Sequence, residues 1–153
     1  MANVKIVDNP VDSDYALQNL CSYIVNPVKT AGGVNVFGRG LNPYNAYEDI
    51  CEAQSLFEKS LGRMAYHIVL SFEDRHAFID EDVMELAYRF SEIFVPEYQV
   101  LCGVHTDTAH THAHFAVSTV SLMGGNKYHI DYDELNHLRA EADRIEAEYL
   151  SGI

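Results

Sequence analysis

The residues His105-Thr-Asp-Thr-Ala-His-Thr-His-Ala-His114, running on into Phe115-Ala-Val-Ser-Thr-Val120, decide how the rest of the chain is read. The second part alternates large apolar with small residues, the period-2 pattern of a β-strand. Carried back through the histidines, that period puts His112 and His114 on one face. Gln99-Val-Leu-Cys-Gly-Val-His105 is a second strand, and Thr106–Thr111 is short and polar enough to turn the chain back as a hairpin. The turn brings His105 level with the His112/His114 pair. Three neutral imidazoles converging from two paired strands suit a divalent transition metal, and three ligands leave positions open for water or substrate.

Scattered surface histidines or an affinity tag would explain the composition but not the arrangement, which is internal, unevenly spaced and set at the mouth of a strand. His110 falls in the turn, out of phase with the pair, and is read as a supporting or solvated residue. Asp107 suits a ligand or an acceptor for an imidazole N–H, which would fix the tautomer of a ligating ring.

Outward from the hairpin, Ala65-Tyr-His-Ile-Val-Leu-Ser-Phe72 is the plainest strand, with His67, Val69 and Ser71 on one face and Tyr66, Ile68 and Leu70 on the other; His67 is read as a residue supporting the metal ligands or touching substrate, or as a structural histidine. Val4–Val7 is a shorter one. Asp12 or Ser13 caps a helix through Tyr15, Leu17, Leu20, Cys21 and Ile24, stopped by Asn26-Pro27. Lys29–Gly40 holds four of the nine glycines and reads as a flexible loop. A helix is expected from about Tyr44 to Leu61, closed by Gly62. Another begins at the acidic first turn Asp80-Glu-Asp82 and ends at Pro96. Met123-Gly-Gly-Asn126 turns into a short strand at Lys127–Ile130. The final helix, Asp131 to Leu150, carries Leu135, Leu138, Ala142, Ile145 and Tyr149 on one stripe. The order is β-α-α-β-α-β-β-β-α. It predicts an α+β fold, an antiparallel central sheet with flanking helices, as a two-layer sandwich with the helices on one face.

At 153 residues this is one domain, with 17 aromatic residues and no apolar run long enough to span a bilayer. No signal-peptide pattern opens the chain. Cys21, Cys51 and Cys102 are odd in number and far apart, which reads as reduced thiols of a cytoplasmic protein. Ten basic against 23 acidic residues give a net charge of −13, an argument against a non-specific grip on nucleic acid. The acids concentrate in the helices after Asp80 and Asp131, whereas Lys29, Arg39, Lys59, Arg63 and Lys127 fall in acid-poor stretches.

With these residues in hand, the chain resembles the relaxase/mobilisation nuclease family, the plasmid-transfer nickases with a His-hydrophobic-His metal site. Tyr23-Ile-Val-Asn-Pro-Val-Lys29 resembles the block that carries the catalytic tyrosine, Tyr66–Phe72 the middle strand, and His105–His114 the metal motif. The resemblance runs from about Leu20 to the last helix. It implies a relaxase-like fold, metal ligation by His105, His112 and His114, and nucleophilic attack by Tyr23, with Tyr15 the alternative nucleophile. It also implies a divalent ion, Mn²⁺ or Mg²⁺ foremost and Zn²⁺ as an alternative. The substrate would be single-stranded DNA at a transfer origin, met by Lys29, Arg39, Lys59, Arg63, Ser71 and Lys127, with accessory mobilisation proteins as partners.

Three features depart from the family's pattern. Thr111 stands where many members have proline, the acidity is unusual for a DNA-gripping protein, and relaxase domains usually continue past the helix at 131–150. Residues 1–153 therefore read as a single relaxase-like nuclease domain in a truncated form. Two other functions compete with the strand-specific nickase. One is a catalytically incompetent relaxase-like domain that binds metal or DNA. The other is a metal phosphoesterase that uses activated water, with Tyr23 merely structural.

Overall fold

The computed structural model describes residues 1–152 and contains five strands and four helices. They are β1 (Asn3–Ile6), α1 (Asp14–Ile24), β2 (Val36–Arg39), α2 (Ala46–Leu56), β3 (Ala65–Ser71), α3 (Asp80–Ser91), β4 (Val100–His105), β5 (His112–Ser118) and α4 (Tyr132–Leu150). The strands form one sheet in the order β1-β3-β5-β4-β2, and every neighbouring pair is antiparallel. β4 and β5 make the expected hairpin, with His105 opposite His112 and Gly103 opposite His114. On the other side of β5, β3 sets Val69 opposite His114 and His67 opposite Ala116.

The helices begin where the sequence provides caps. The Ser13 side chain accepts the Ala16 N–H at the start of α1, and Asp131 does the same for Glu134 at the start of α4. Each satisfies a backbone donor that a helix N-terminus otherwise leaves unpaired. The stripe expected on α4 is in the core: Leu138, Ala142 and Ile145 are buried, with Leu135 and Tyr149 packed against them.

Five expectations need correction, one being that the helix expected to end at Pro96 stops at Ser91. The fold is α+β with an antiparallel sheet and flanking helices, but the layers are three, because the helices cover both faces. α1 and α2 bring Leu17, Leu20, Ile24 and Ile50 against Ala65, Leu101 and Ala116 on one face. On the other, α3 and α4 bring Val83, Leu86, Phe90 and Leu138 against Ile68, Cys102, Phe115 and Val117. β4 is buried at all six positions, so both of its faces must be apolar, as in any strand covered twice.

The stretch Lys29–Gly40 is not a plain loop, since its second half is the edge strand β2, paired with β4 from Val36 opposite Gly103 to Arg39 opposite Val100. The first half is held too: the Thr106 N–H donates to the Lys29 carbonyl (2.8 Å), and Thr30 is fully buried. The helix expected to reach Leu61 stops at Leu56; Glu58 then turns with φ +55°, and the Lys59 N–H closes on the Gln54 carbonyl. Lys127–Ile130 forms no strand and makes a single bridge, Val120 opposite Lys127. There Tyr128 stacks on Tyr98 at 4.6 Å, so side-chain packing fixes this segment.

Candidate functional site

Antiparallel register decides which histidines meet. His105 and His112 face each other across the hairpin, His114 stands two residues further along β5, and His67 lies on the adjacent β3, all on the sheet face that α1 covers. Ring centroids are 4.1 Å apart for His105 and His114, 5.2 Å for His67 and His114, and 6.4 Å for His112 and His114. Tyr23, on the last turn of α1, lies edge-on to three of these rings, at 4.9 Å from His105, 5.3 Å from His114 and 6.1 Å from His67. No aromatic pairing joins Tyr15 to a histidine among the described residues, and its side chain is exposed.

One glycine makes this approach of helix to sheet feasible. A Cβ built on Gly103 would lie 2.0 Å from the Ile24 carbonyl oxygen. The end of α1 therefore rests on bare β4 backbone, and the same Ile24 carbonyl accepts a hydrogen bond from Nε2 of the buried His105 (3.0 Å). Sequence reasoning passed over Gly103, although a glycine in the interior of a strand is the usual sign of close backbone approach.

The hydrogen bonds constrain the tautomers. A carbonyl oxygen only accepts, so His105 carries its proton on Nε2, and His112, whose Nδ1 donates to the His110 carbonyl (2.8 Å), carries one on Nδ1. Neutral rings in these states keep a lone pair on His105 Nδ1 and His112 Nε2. Nε2 of His67 and Nδ1 of His114 share a proton at 2.9 Å; with His114 as donor, its Nε2 is unprotonated as well. Burial, reinforced by neighbouring histidines, pushes His114 down to about 3 and His67 down to about 4, and burial also lowers His105. These rings are thus neutral donors near pH 7.

The donor set fits a divalent transition metal by its chemistry, its common face and its available lone pairs. Among the described residues no group of three or more His, Cys, Asp or Glu is arranged so as to hold a metal ion.

A cavity of about 270 Å³ opens over the cluster, lined by Tyr23, Lys29, His105, Asp107, His112 and His114. Lys29 spans its mouth, with Nζ 3.1 Å from Asp107 and 5.4 Å from the centre of the Tyr23 ring. That bond holds the Asp107 carboxyl below its ordinary range, so it stays charged and paired with Lys29. His110 turns away, with Nδ1 3.0 Å from Asp74 on the far side of the hairpin. Ser71 lies beside His112 along a second cavity of about 350 Å³, which also contains Glu73 and Asp74.

The other cations expected to meet DNA do not converge here. Arg39 lies on the opposite face of the sheet, bonded to Ser91 and Glu92 and placed over the Tyr88 ring, because its register matches that of Phe37. Lys127 donates to the Leu61 and Arg63 carbonyls, and Arg63 covers Tyr66, so with Lys59 they form a separate group at the far end of β3 and β5. Lys5 was not anticipated: its pairing with Val69 puts it on the histidine face of β1.

Comparison with known proteins follows the same lines. The family model described as MobA/VirD2-like relaxase, nuclease domain, matches residues 23–150. Two Staphylococcus aureus proteins named Protein rlx are 27% and 28% identical over 94 residues, which is 61% of this chain. The chain spans about three tenths of the length of those relatives (29% and 30%). A solved structure described as the molecular basis of vancomycin resistance transfer in Staphylococcus aureus superposes with a TM-score of 0.67 at 11% identity. It covers 99% of this chain and 93% of its own. At that identity the likeness concerns the fold.

Proposed function

Since the chain belongs to the MobA/VirD2-like relaxase nuclease family, we propose that it nicks one strand of DNA at the transfer origin of a plasmid or conjugative element, with Tyr23 as the nucleophile. The observation that carries this reading is the contact of Tyr23, and not Tyr15, with His67, His105 and His114 at the edge of an open cavity.

His105, His112 and His114 would hold a divalent ion, Mn²⁺ or Mg²⁺ foremost. When bound there, the ion supplies Lewis-acid polarisation of the phosphodiester and offsets charge developing in the transition state. With His114 as donor, His67 accepts its Nδ1 proton and so orients that ring, the role an outer partner usually plays for a ligating imidazole. Lys29 adds a positive charge beside the tyrosine, and Asp107 fixes Lys29 in place.

A phenol is a weak nucleophile until its proton leaves. As the bond between Tyr23 Oη and phosphorus forms, the bond from phosphorus to the 3′ oxygen breaks and that oxygen takes up a proton. The products are a 5′-phosphotyrosyl link and a free 3′-hydroxyl. Phosphodiester energy is conserved, so the reverse attack rejoins the strand.

The test is a labelled single-stranded oligonucleotide carrying the adjacent transfer origin, incubated with Mn²⁺ or Mg²⁺ and run on a denaturing gel. Wild type gives a slow covalent adduct, Tyr23→Phe gives none, and Tyr15→Phe gives nearly as much as wild type. Adduct that survives Tyr23→Phe and disappears with Tyr15→Phe reassigns the nucleophile. Free 5′-phosphate with no adduct points instead to hydrolysis by activated water.

A further inference from the structure

A groove of about 370 Å³ runs beside the histidine cluster, between α1 and the segment that follows β1. Asn9, Pro10, Tyr15, Asn19, Tyr23 and His67 line it, so Tyr23 and His67 belong both to this groove and to the cluster. We propose that the groove is a nucleobase subsite for single-stranded DNA, in which a base a short way along the strand from the nicked phosphate stacks on Tyr15. This rests on the relaxase reading and adds where the strand runs.

Three observations point to that occupant. First, Tyr15 is 74% exposed, and its hydroxyl has no hydrogen-bond partner among the described residues. An aromatic ring kept out of the core and beside the nucleophile is a platform for a planar ligand, and every base has a face to stack on it. Second, Tyr15 and Tyr23 are eight residues apart on one helix, which places them about 12 Å apart along its axis. A chain anchored by its phosphate at Tyr23 reaches the Tyr15 ring through neighbouring nucleotides. Asn9 and Asn19 between them offer amide donors and acceptors to a base edge.

Third, charge selects this exit. In a protein of net charge −13 no carboxylate lines the groove. Asp8, Asp12 and Asp14 border the lining residues in sequence without being part of the lining. The cavity on the other side of the hairpin holds Glu73 and Asp74, which repel a polyphosphate backbone. Lys5 stands on the same sheet face as the histidines and favours a strand leaving past β1.

The experiment is fluorescence anisotropy with the full chain, chelator present, and a fluorescein-labelled single strand of mixed sequence about a dozen nucleotides long. Without metal, binding is measured apart from cleavage. Tyr15→Ala is expected to weaken affinity about 5- to 150-fold, the stacking contribution of one base. Tyr15→Phe keeps the ring and should match wild type. So should Tyr132→Ala, which removes an equally exposed tyrosine from α4 on the opposite face.

If Tyr15→Ala binds as tightly as wild type, or if Tyr15→Phe loses as much as Tyr15→Ala, the stacking subsite is wrong while the relaxase reading stands. An equal loss in Tyr132→Ala overturns it also, because surface aromatics would then act without a site. A wild type that binds no single strand at all removes the function reading and the subsite together. Photo-cross-linking with 5-iododeoxyuridine is the second measurement, and it should label Tyr15; labelling confined to other elements overturns the proposal.

Discussion

Gly103 shows how much one missing side chain controls. The Ile24 carbonyl occupies the place its Cβ would take, and backbone cannot rotate aside as a side chain can. Gly103→Ala should therefore lift the end of α1, at a cost of about 1–3 kcal/mol in stability. Chemical denaturation measures that cost, and loss of the contact between Tyr23 and the histidines should show as lost adduct. His67 is the second residue of this kind. If its Nε2 is the acceptor that orients His114, His67→Ala should weaken Mn²⁺ binding about 10- to 100-fold by calorimetric titration. His67→Gln, which retains an acceptor oxygen, should recover part of it. Equal loss in both variants would mean that the imidazole does more than accept a proton.

Among the elements, α1 links stability to the site most directly, because it packs Leu17, Leu20 and Ile24 into the core and carries Tyr23 on its last turn. Its start depends on Ser13, whose hydroxyl accepts the Ala16 N–H at 3.1 Å. Ser13→Ala should cost about 1 kcal/mol, read as a lower melting temperature and faster amide exchange over the first turn. The end next to the histidines, anchored through Ile24 on β4, should exchange at its former rate. β5 is the other decisive element: it lies between β3 and β4, and Phe115 packs 5.3 Å from Phe90 of α3 on the face opposite the histidines. Phe115→Ala leaves a cavity in that layer and should cost about 3–5 kcal/mol by urea denaturation.

For the molecule as a whole, the proposed nickase reading requires that a chain of net charge −13 meet DNA. The cations expected to meet DNA are divided among separate surfaces: Lys29 at the histidine cavity, Lys59, Arg63 and Lys127 at the far end of the sheet, and Arg39 on the opposite face. A single cation at the histidine cavity, paired with Asp107 in an acidic body, predicts weak binding with a shallow dependence on salt. Lys29→Ala should lower single-strand affinity and reduce the slope of log K against log salt by about 0.7, the loss of one phosphate contact. Arg39→Ala should leave that slope unchanged while loosening the junction of β2 with Ser91 and Glu92. Anisotropy over a series of salt concentrations separates the two.

The hairpin, the face shared by His112 and His114, the strand at Ala65–Ser71 and the capped helices α1 and α4 follow from the sequence alone. Each rests on local rules, a period of two or 3.6 residues and a cap within four residues, which do not depend on what packs against the element. Tertiary structure decided the rest. β2 is a strand only because β4 offers it a free edge, and Lys127–Ile130 is not one because its rings find Tyr98 first. The second helical layer exists because β4 is apolar on both faces, a sign present in Val100-Leu-Cys-Gly-Val104 but readable only once a second set of helices is there to cover it. The division of the cations and the meeting of Tyr23 with His67 depend on register and on the approach at Gly103. Those are contacts between residues far apart in the chain, and no local pattern encodes them.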